Sequence, residues 1–148
     1  MKAIDLPESY FNDRHGNDKK RMQSFFKEKK YISRILKTNN FKELRILDIG
    51  CSTGEFIKVV FNESKSIDGI EPSTYASEIA KKNSINIIDE INEEDKYDVI
   101  IYRGSIQLIP SPFESIEKAY RALKKGGKVF FLATPNIRSI YFYLFKTL

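Results

Sequence analysis

Four residues in the first half of the chain combine reactive chemistry with meaningful spacing: Asp48, Gly50, Gly54 and Glu71. Asp48 ends a short apolar run and opens the stretch Asp48-Ile49-Gly50-Cys51-Ser52-Thr53-Gly54. A bend of such small residues exposes backbone, and it aims the unpaired N–H groups of the following helix at whatever lies there. Dinucleotides use a three-glycine form of this turn, G-x-G-x-x-G. Counted from Gly50, the second glycine would fall on Ser52 and the third on Glu55, so a closely bound pyrophosphate is disfavoured. What remains is D-x-G-x-x-x-G. A carboxylate at the strand end repels phosphate and attracts a cationic amine. Glu71 follows Gly50 by 21 positions, close to the ~20-residue offset at which an acid accepts hydrogen bonds from ribose hydroxyls. Within the bend, Cys51 and Ser52 are expected to meet a ligand through backbone, since no histidine neighbours Cys51 to activate its sulfur. Pro72 stops the segment carrying Glu71, and Ser73 is placed to cap the next helix.

The elements that must hold these groups are legible as alternating periods. Ile46, Leu47 and Ile49 read as a buried parallel strand, and Phe56, Ile57, Val59, Val60 and Phe61 as a helix packed on a sheet. Ser66 to Glu71 is a second strand, followed by a helix over Tyr75–Lys82. Ile85 to Glu90 is a third strand ending in acids, and Tyr97 to Gly104 a fourth. Phe113–Leu123 has Phe113, Ile116, Tyr120 and Leu123 on one helical face. Lys124-Lys125-Gly126-Gly127 is expected to end that helix, and Lys128–Ala133 to form a fifth strand. Before the first strand, Met22, Phe25, Phe26, Ile32, Ile35 and Leu36 mark a helix from about Asp18 to Lys37. This alternation predicts an α/β fold, a doubly wound and mostly parallel sheet with helices on both faces and about five strands. Ligand belongs at the C-terminal ends of the strands.

The stretch DIGCSTG, an acid ending the second strand, Tyr97-Asp98 before an apolar run, and a helix followed by Lys-Lys-Gly-Gly and a strand together resemble the class I S-adenosylmethionine-dependent methyltransferases. The resemblance covers about Arg45 to Asn136. It implies a Rossmann-like domain that binds S-adenosyl-L-methionine and releases S-adenosyl-L-homocysteine after transferring a methyl group. The Gly50–Gly54 turn would then pass under the methionine and ribose portions. Asp48 would help hold the amino-acid end, and Asp89, with Glu90 beside it, would sit near the adenine. Ser52 stands where a glycine is commonest. Relatives of this class often fold the segment before the first strand over the cofactor, which would bring Tyr10 and Phe11 near the sulfonium charge. Arg103 and Gly104 begin a loop that would cross the cofactor near the transferred methyl. There, Gln107-Leu108 replaces a common Glu-His pair. Arg103 and Gln107 are then candidates to orient an acceptor by hydrogen bonds. His15 is the only histidine, hence the only ready base near neutral pH. Thr134-Pro135-Asn136 resembles a subgroup associated with small-molecule, lipid or saccharide acceptors.

Length suits one domain, divided here into an N-terminal helical or lid segment (1–44), the cofactor-binding core (45–136) and an apolar tail (137–148). The tail carries Ile137, Ile140, Tyr141, Phe142, Tyr143, Leu144, Phe145 and Leu148 and should be covered, for instance in a homodimer. Net charge is +5, and residues 1–45 alone carry +6. That basic segment is expected to be a solvated helix; nucleic acid is possible but not favoured, because no arginine-aromatic motif accompanies it. A lone cysteine fits a reducing, cytoplasmic compartment, and no stretch reads as a membrane span or as a metal-ligand set. Two other readings stay open: a catalytically silent S-adenosylmethionine-binding module or fragment, and a nicotinamide-dependent oxidoreductase, which the failed three-glycine pattern disfavours.

Overall fold

The computed structural model describes Ser9, residues 18–94 and residues 96–134. The expectations for Tyr10, Phe11, His15 and the 137–148 tail lie outside the described residues. In chain order the elements are helix α1 (Asp18–Leu36), strand β1 (Arg45–Ile49), helix α2 (Glu55–Phe61), strand β2 (Ser66–Ile70), helix α3 (Thr74–Lys82) and strand β3 (Asn86–Ile87). Strand β4 (Tyr97–Arg103), a 3-10 turn (Ile106–Leu108), helix α4 (Pro112–Ala122) and strand β5 (Leu123–Leu132) complete the described chain.

The five strands form one sheet in the order β3-β2-β1-β4-β5, with every pair parallel. Chain order reverses direction at β1, which places a topological switch point between β1 and β4, where open α/β sheets bind ligand. Side chains alternate across the sheet, so each strand feeds two cores. Ile46, Val99, Ile101, Phe130 and Leu132 pack with Phe25 and Ile32 of α1 and with Phe56, Ile57, Val60 and Phe61 of α2. Leu47, Ile49, Ile100 and Tyr102 pack on the other face with Ala119 and Ala122 of α4. The doubly wound arrangement is therefore present, with α1 and α2 on one side and α4 on the other.

Two segments differ from the sequence expectation. The third strand shrinks to Asn86–Ile87, because beyond Ile87 the pairing with β2 ends at Gly69 and the acids turn out of the sheet. The Lys-Lys-Gly-Gly stretch does not cap α4. That helix ends at Ala122, Leu123 is already extended with φ −76° and ψ 144°, and Leu123 pairs with Tyr97. The register then jumps, since Val99 pairs with Lys128. Gly126, at φ +85°, makes the bend that takes up the intervening residues. Lys124 Nζ reaches Asp98 at 2.8–2.9 Å, so one lysine expected near the helix end instead ties β5 to β4.

Candidate cofactor site

Pairing register decides which side chains meet above the sheet. Asp48 lies opposite Gly69 on one side and Ile101 on the other. Two residues along each neighbour, with the same facing, come Glu71 and Arg103. The charges of both residues act on Asp48, Arg103 favouring and Glu71 opposing its ionised form. The two carboxylates singled out in sequence thus stand at the tips of adjacent strands.

Asp48 is 2% exposed, and its Oδ1 has no hydrogen-bond partner among the described residues. Burial pushes its pKa from 3.8 up to about 7; the Arg103 guanidinium opposes that rise and the Glu71 carboxylate adds to it. A buried carboxylate without a donor is costly. A cationic donor in the adjoining cleft would satisfy it.

Glu71 closes the bend. Its Oε2 accepts from Ser52 N–H at 2.9 Å and its Oε1 from Ser73 N–H at 2.9 Å. Ser73 Oγ in turn accepts from Ala76 N–H at the start of α3. These two bonds hold the Glu71 carboxylate against the bend, at the edge of the cleft it lines. Ser52 holds a left-handed φ of +53°, which explains why a glycine is at home there.

The glycines act differently from expectation. Gly50 has φ +80°, and a Cβ on it would overlap Ser105 Cβ. Ser105 Oγ donates to Ile49 O, locking the end of β1 to the loop after β4. Gly54 is the left-handed N-cap of α2, and a Cβ there would lie 2.7 Å from Ile85 Cγ1. Both glycines therefore admit neighbouring side chains as well as a tight bend. Gly54 does not line the cleft.

Arg103 ends β4 between two rings, its guanidinium carbon 4.7 Å from the Phe25 centroid and 4.9 Å from that of Phe56. Its Nε and Nη2 donate to Glu28 at 2.8 and 3.1 Å. The side chain is fixed by α1, which sequence reasoning did not anticipate, because Glu28 reads as one more charge on a solvated helix. The only cue was its heptad-like place beside Phe25 and Ile32 on the inward face.

A cleft of about 580 Å³ opens over these residues. Of the expected cofactor residues, Asp48, Gly50, Cys51, Ser52, Glu71, Pro72, Asp89, Arg103 and Gly104 line it. Gln107 does not; its side-chain amide donates to Gly104 O at 2.9 Å, because the 3-10 turn points it back along its own loop. Ser105, Leu108, Ile109 and Pro110 belong to the loop expected to cross the cofactor, though none was singled out as a site residue; lining residues not anticipated include Arg21, Phe56, Ile70, Ile91 and Lys118. Alternation along β2 placed Ile70 within reach of prediction; the loop residues carried no periodic signal.

Charge in the cleft is one-sided. Asp48, Glu55, Glu71, Asp89, Glu90 and Glu114 face Arg21, Arg103 and Lys118. Each of those three cations is already held by a carboxylate, Arg21 by Glu55 at 2.6 Å, Arg103 by Glu28 and Lys118 by Glu114 at 3.3 Å. Such a cleft favours a cation. Cys51 is 5% exposed, and burial, with Asp48 and Glu71 nearby, pushes its thiol far above the usual range. That disfavours the thiolate a nucleophile needs.

An all-parallel, doubly wound sheet with carboxylates on adjoining strand tips around a glycine bend defines a nucleoside-binding α/β domain. The chain belongs to the methyltransferase domain family, whose pattern matches residues 19–141. A malonyl-[acyl-carrier protein] O-methyltransferase of Priestia megaterium is 32% identical over 112 residues, 68% of this chain and 41% of that protein. A ubiquinone biosynthesis O-methyltransferase of Hydrogenovibrio crunogenus is 25% identical over 112 residues, 68% of this chain and 46% of that protein. The chain thus spans less than half the length of either relative. Among solved structures, the plantazolicin methyltransferase BpumL, in complex with a monoazolic desmethylPZN analog and SAH, superposes with a TM-score of 0.67 at 22% identity. The match covers 84% of this chain and 52% of that one. A SAM-dependent methyltransferase from Geobacter sulfurreducens in complex with S-adenosyl-L-homocysteine gives 0.55 at 20% identity, over 71% and 47%. These two likenesses establish the fold.

Proposed function

We propose that the chain carries the S-adenosylmethionine-binding core of a methyltransferase that modifies a small-molecule acceptor. The observation that carries this reading is Asp48, buried, with an oxygen lacking a donor, at the rim of an acid-rich cleft. Its family and the cofactor product in the complexes of its structural neighbours support it. Asp48 receives the amino-acid end of the cofactor. Glu71, held by Ser52 and Ser73 N–H, accepts the ribose hydroxyls. Ile70, Asp89 and Ile91 border the purine. When bound, the cofactor supplies an already activated sulfonium methyl.

The protein's own work is then mainly placement. The Gly50–Gly54 bend and Glu71 fix the nucleoside, Arg103 shapes the wall beside Asp48, and Leu108, Ile109 and Pro110 exclude water from the acceptor side. A general base is needed only if the acceptor loses its proton early; His15 remains the candidate, outside the described residues. The same holds for Tyr10 as part of a covering segment and for the tail as a dimer contact. Among the described residues no helix is long and apolar enough to cross a membrane.

Calorimetry tests the cofactor. S-adenosyl-L-homocysteine should bind and NAD should not, and the reverse result would sink the reading. Transfer of a labelled methyl to a panel of small molecules, RNA and protein tests the acceptor class, with label on small molecules expected.

A further inference from the structure

Helix α1 presents a second surface that methyl transfer does not use. Its inward face is committed: Phe25 and Ile32 are fully buried, and Glu28 is turned in to Arg103. Its outward face carries Lys19, Lys20, Lys27, Lys30 and Arg34, with Lys37 just beyond its end, all exposed. No exposed carboxylate lies between Lys19 and Lys37, and none of the six cations pairs with a carboxylate among the described residues. At 3.6 residues per turn the six fall within about a third of the helix circumference. Phe26 borders that stripe on one side, and Tyr31 and Ile35 border it on the other. These three are 57%, 51% and 41% exposed. Near its end the stripe opens into a shallow hollow of about 270 Å³ lined by Lys30, Ser33, Arg34, Lys37, Thr38 and Asn39.

We propose that this face of α1 docks the protein on an anionic lipid bilayer, with the lysines on headgroup phosphates and Phe26, Tyr31 and Ile35 entering the headgroup boundary. The charge is complementary and unopposed, and it attracts a diffuse anionic surface. Five of the six cations are lysine, a point charge suited to mobile headgroups, whereas reading a nucleic acid or a fixed carboxylate favours the arginine fork. Exposed apolar side chains flanking the cationic stripe are placed as in helices that lie in the membrane interface. Arg21, about 150° around the helix from the centre of the stripe, lines the cleft, so docking would leave the cleft on the side of α1 away from the lipid.

Vesicle flotation of the full chain tests this without requiring turnover. Binding is expected to phosphatidylcholine vesicles containing about a third phosphatidylglycerol and not to phosphatidylcholine alone, and to weaken as salt rises from about 0.05 to 0.5 M. The variant Lys30→Gln/Arg34→Gln/Lys37→Gln should bind ~100-fold more weakly with unchanged circular dichroism. The chain has no tryptophan, so Phe26→Trp gives a single reporter whose emission should shift to the blue on anionic vesicles. Equal binding to both vesicle types, a folded triple variant that binds like wild type, an unmoved emission from the Phe26→Trp reporter, or release from vesicles by single-stranded RNA at equal charge would each overturn the proposal.

Discussion

Arg103 and Glu28, separated by 75 positions in sequence, form a two-point ion pair that joins the end of β4 to the N-terminal helix. The guanidinium is simultaneously clamped by Phe25 and Phe56. Together with the Arg21–Glu55 pair, this contact fastens helix α1 to the wall of the cleft.

Removing one partner of this half-buried pair leaves the other badly placed. Glu28→Gln should cost about 2 kcal/mol in urea unfolding, within the range for hydrogen bonds to charged groups. Cofactor-product affinity should fall with it. A variant as stable as the parent would show that the aromatic clamp alone holds Arg103.

Asp48 makes stability depend on pH in a definite direction. Its folded pKa, about 7, lies above the ordinary 3.8. Between those values the folded protein keeps a proton that the unfolded chain releases. Stability of the ligand-free protein should therefore fall as pH rises from about 4 to 7, by up to about 4 kcal/mol, and level off above. Asp48→Asn should flatten that slope in unfolding experiments across the range. Affinity for S-adenosyl-L-homocysteine should rise as pH passes through 7, because the ionised form attracts the ammonium, and Asp48→Asn should abolish that rise.

Gly50→Ala combines a left-handed φ with collision against Ser105. Thermal melting should show a loss of about 3 kcal/mol or more. Adding Ser105→Gly should recover the collision and leave the smaller backbone term. Ser105→Gly alone, which loses the hydrogen bond to Ile49 O, is the reference; no recovery beyond that loss would mean that the φ dominates.

Ser52 offers the opposite outcome. Its φ of +53° suits glycine, so Ser52→Gly should hold stability or raise it by up to about 1 kcal/mol. The Ser52 N–H to Glu71 bond is kept in that variant. Glu71→Ala, which removes the acceptor of both Ser52 and Ser73 N–H, should weaken binding of S-adenosyl-L-homocysteine by about tenfold or more. Unchanged affinity in calorimetry would remove Glu71 from the ribose site.

Cys51 should resist thiol reagents in the native protein and react at once in denaturant. Burial and two neighbouring carboxylates disfavour its thiolate. Rapid native labelling would contradict the packed bend.

How far the sequence was legible follows from the range of each signal. The strands with strong apolar runs, β1 and β4, and the spans of the helices stand where expected, but the apolar face read for α4 does not: Phe113 and Tyr120 are 83% and 76% exposed, and Ala119 and Ala122 are the residues buried. Asp48 and Glu71 could be paired because parallel neighbours bring their ends together whatever the intervening chain does. The Glu28–Arg103 clamp was not legible, since a contact across 75 positions leaves no local trace. The role of Gly50 was half legible: its turn was, while the Ser105 side chain filling its missing Cβ belongs to another loop. The Lys-Lys-Gly-Gly segment misled because cations and glycines suit a helix exit, and only the ladder with Tyr97 shows that Leu123 has already joined the sheet.

The bend at Gly126 has a practical use. Nothing approaches within 4 Å of where a Cβ would stand, and the bend adjoins Leu123 and Tyr97, at the end of the sheet away from Arg103 and the cleft. Gly126 itself holds φ +85° and must stay glycine, but a dye or a tether on a cysteine replacing its exposed neighbour Lys125 would leave the ligand-facing end of the molecule untouched. This corner is a natural handle for surface immobilisation and single-molecule observation.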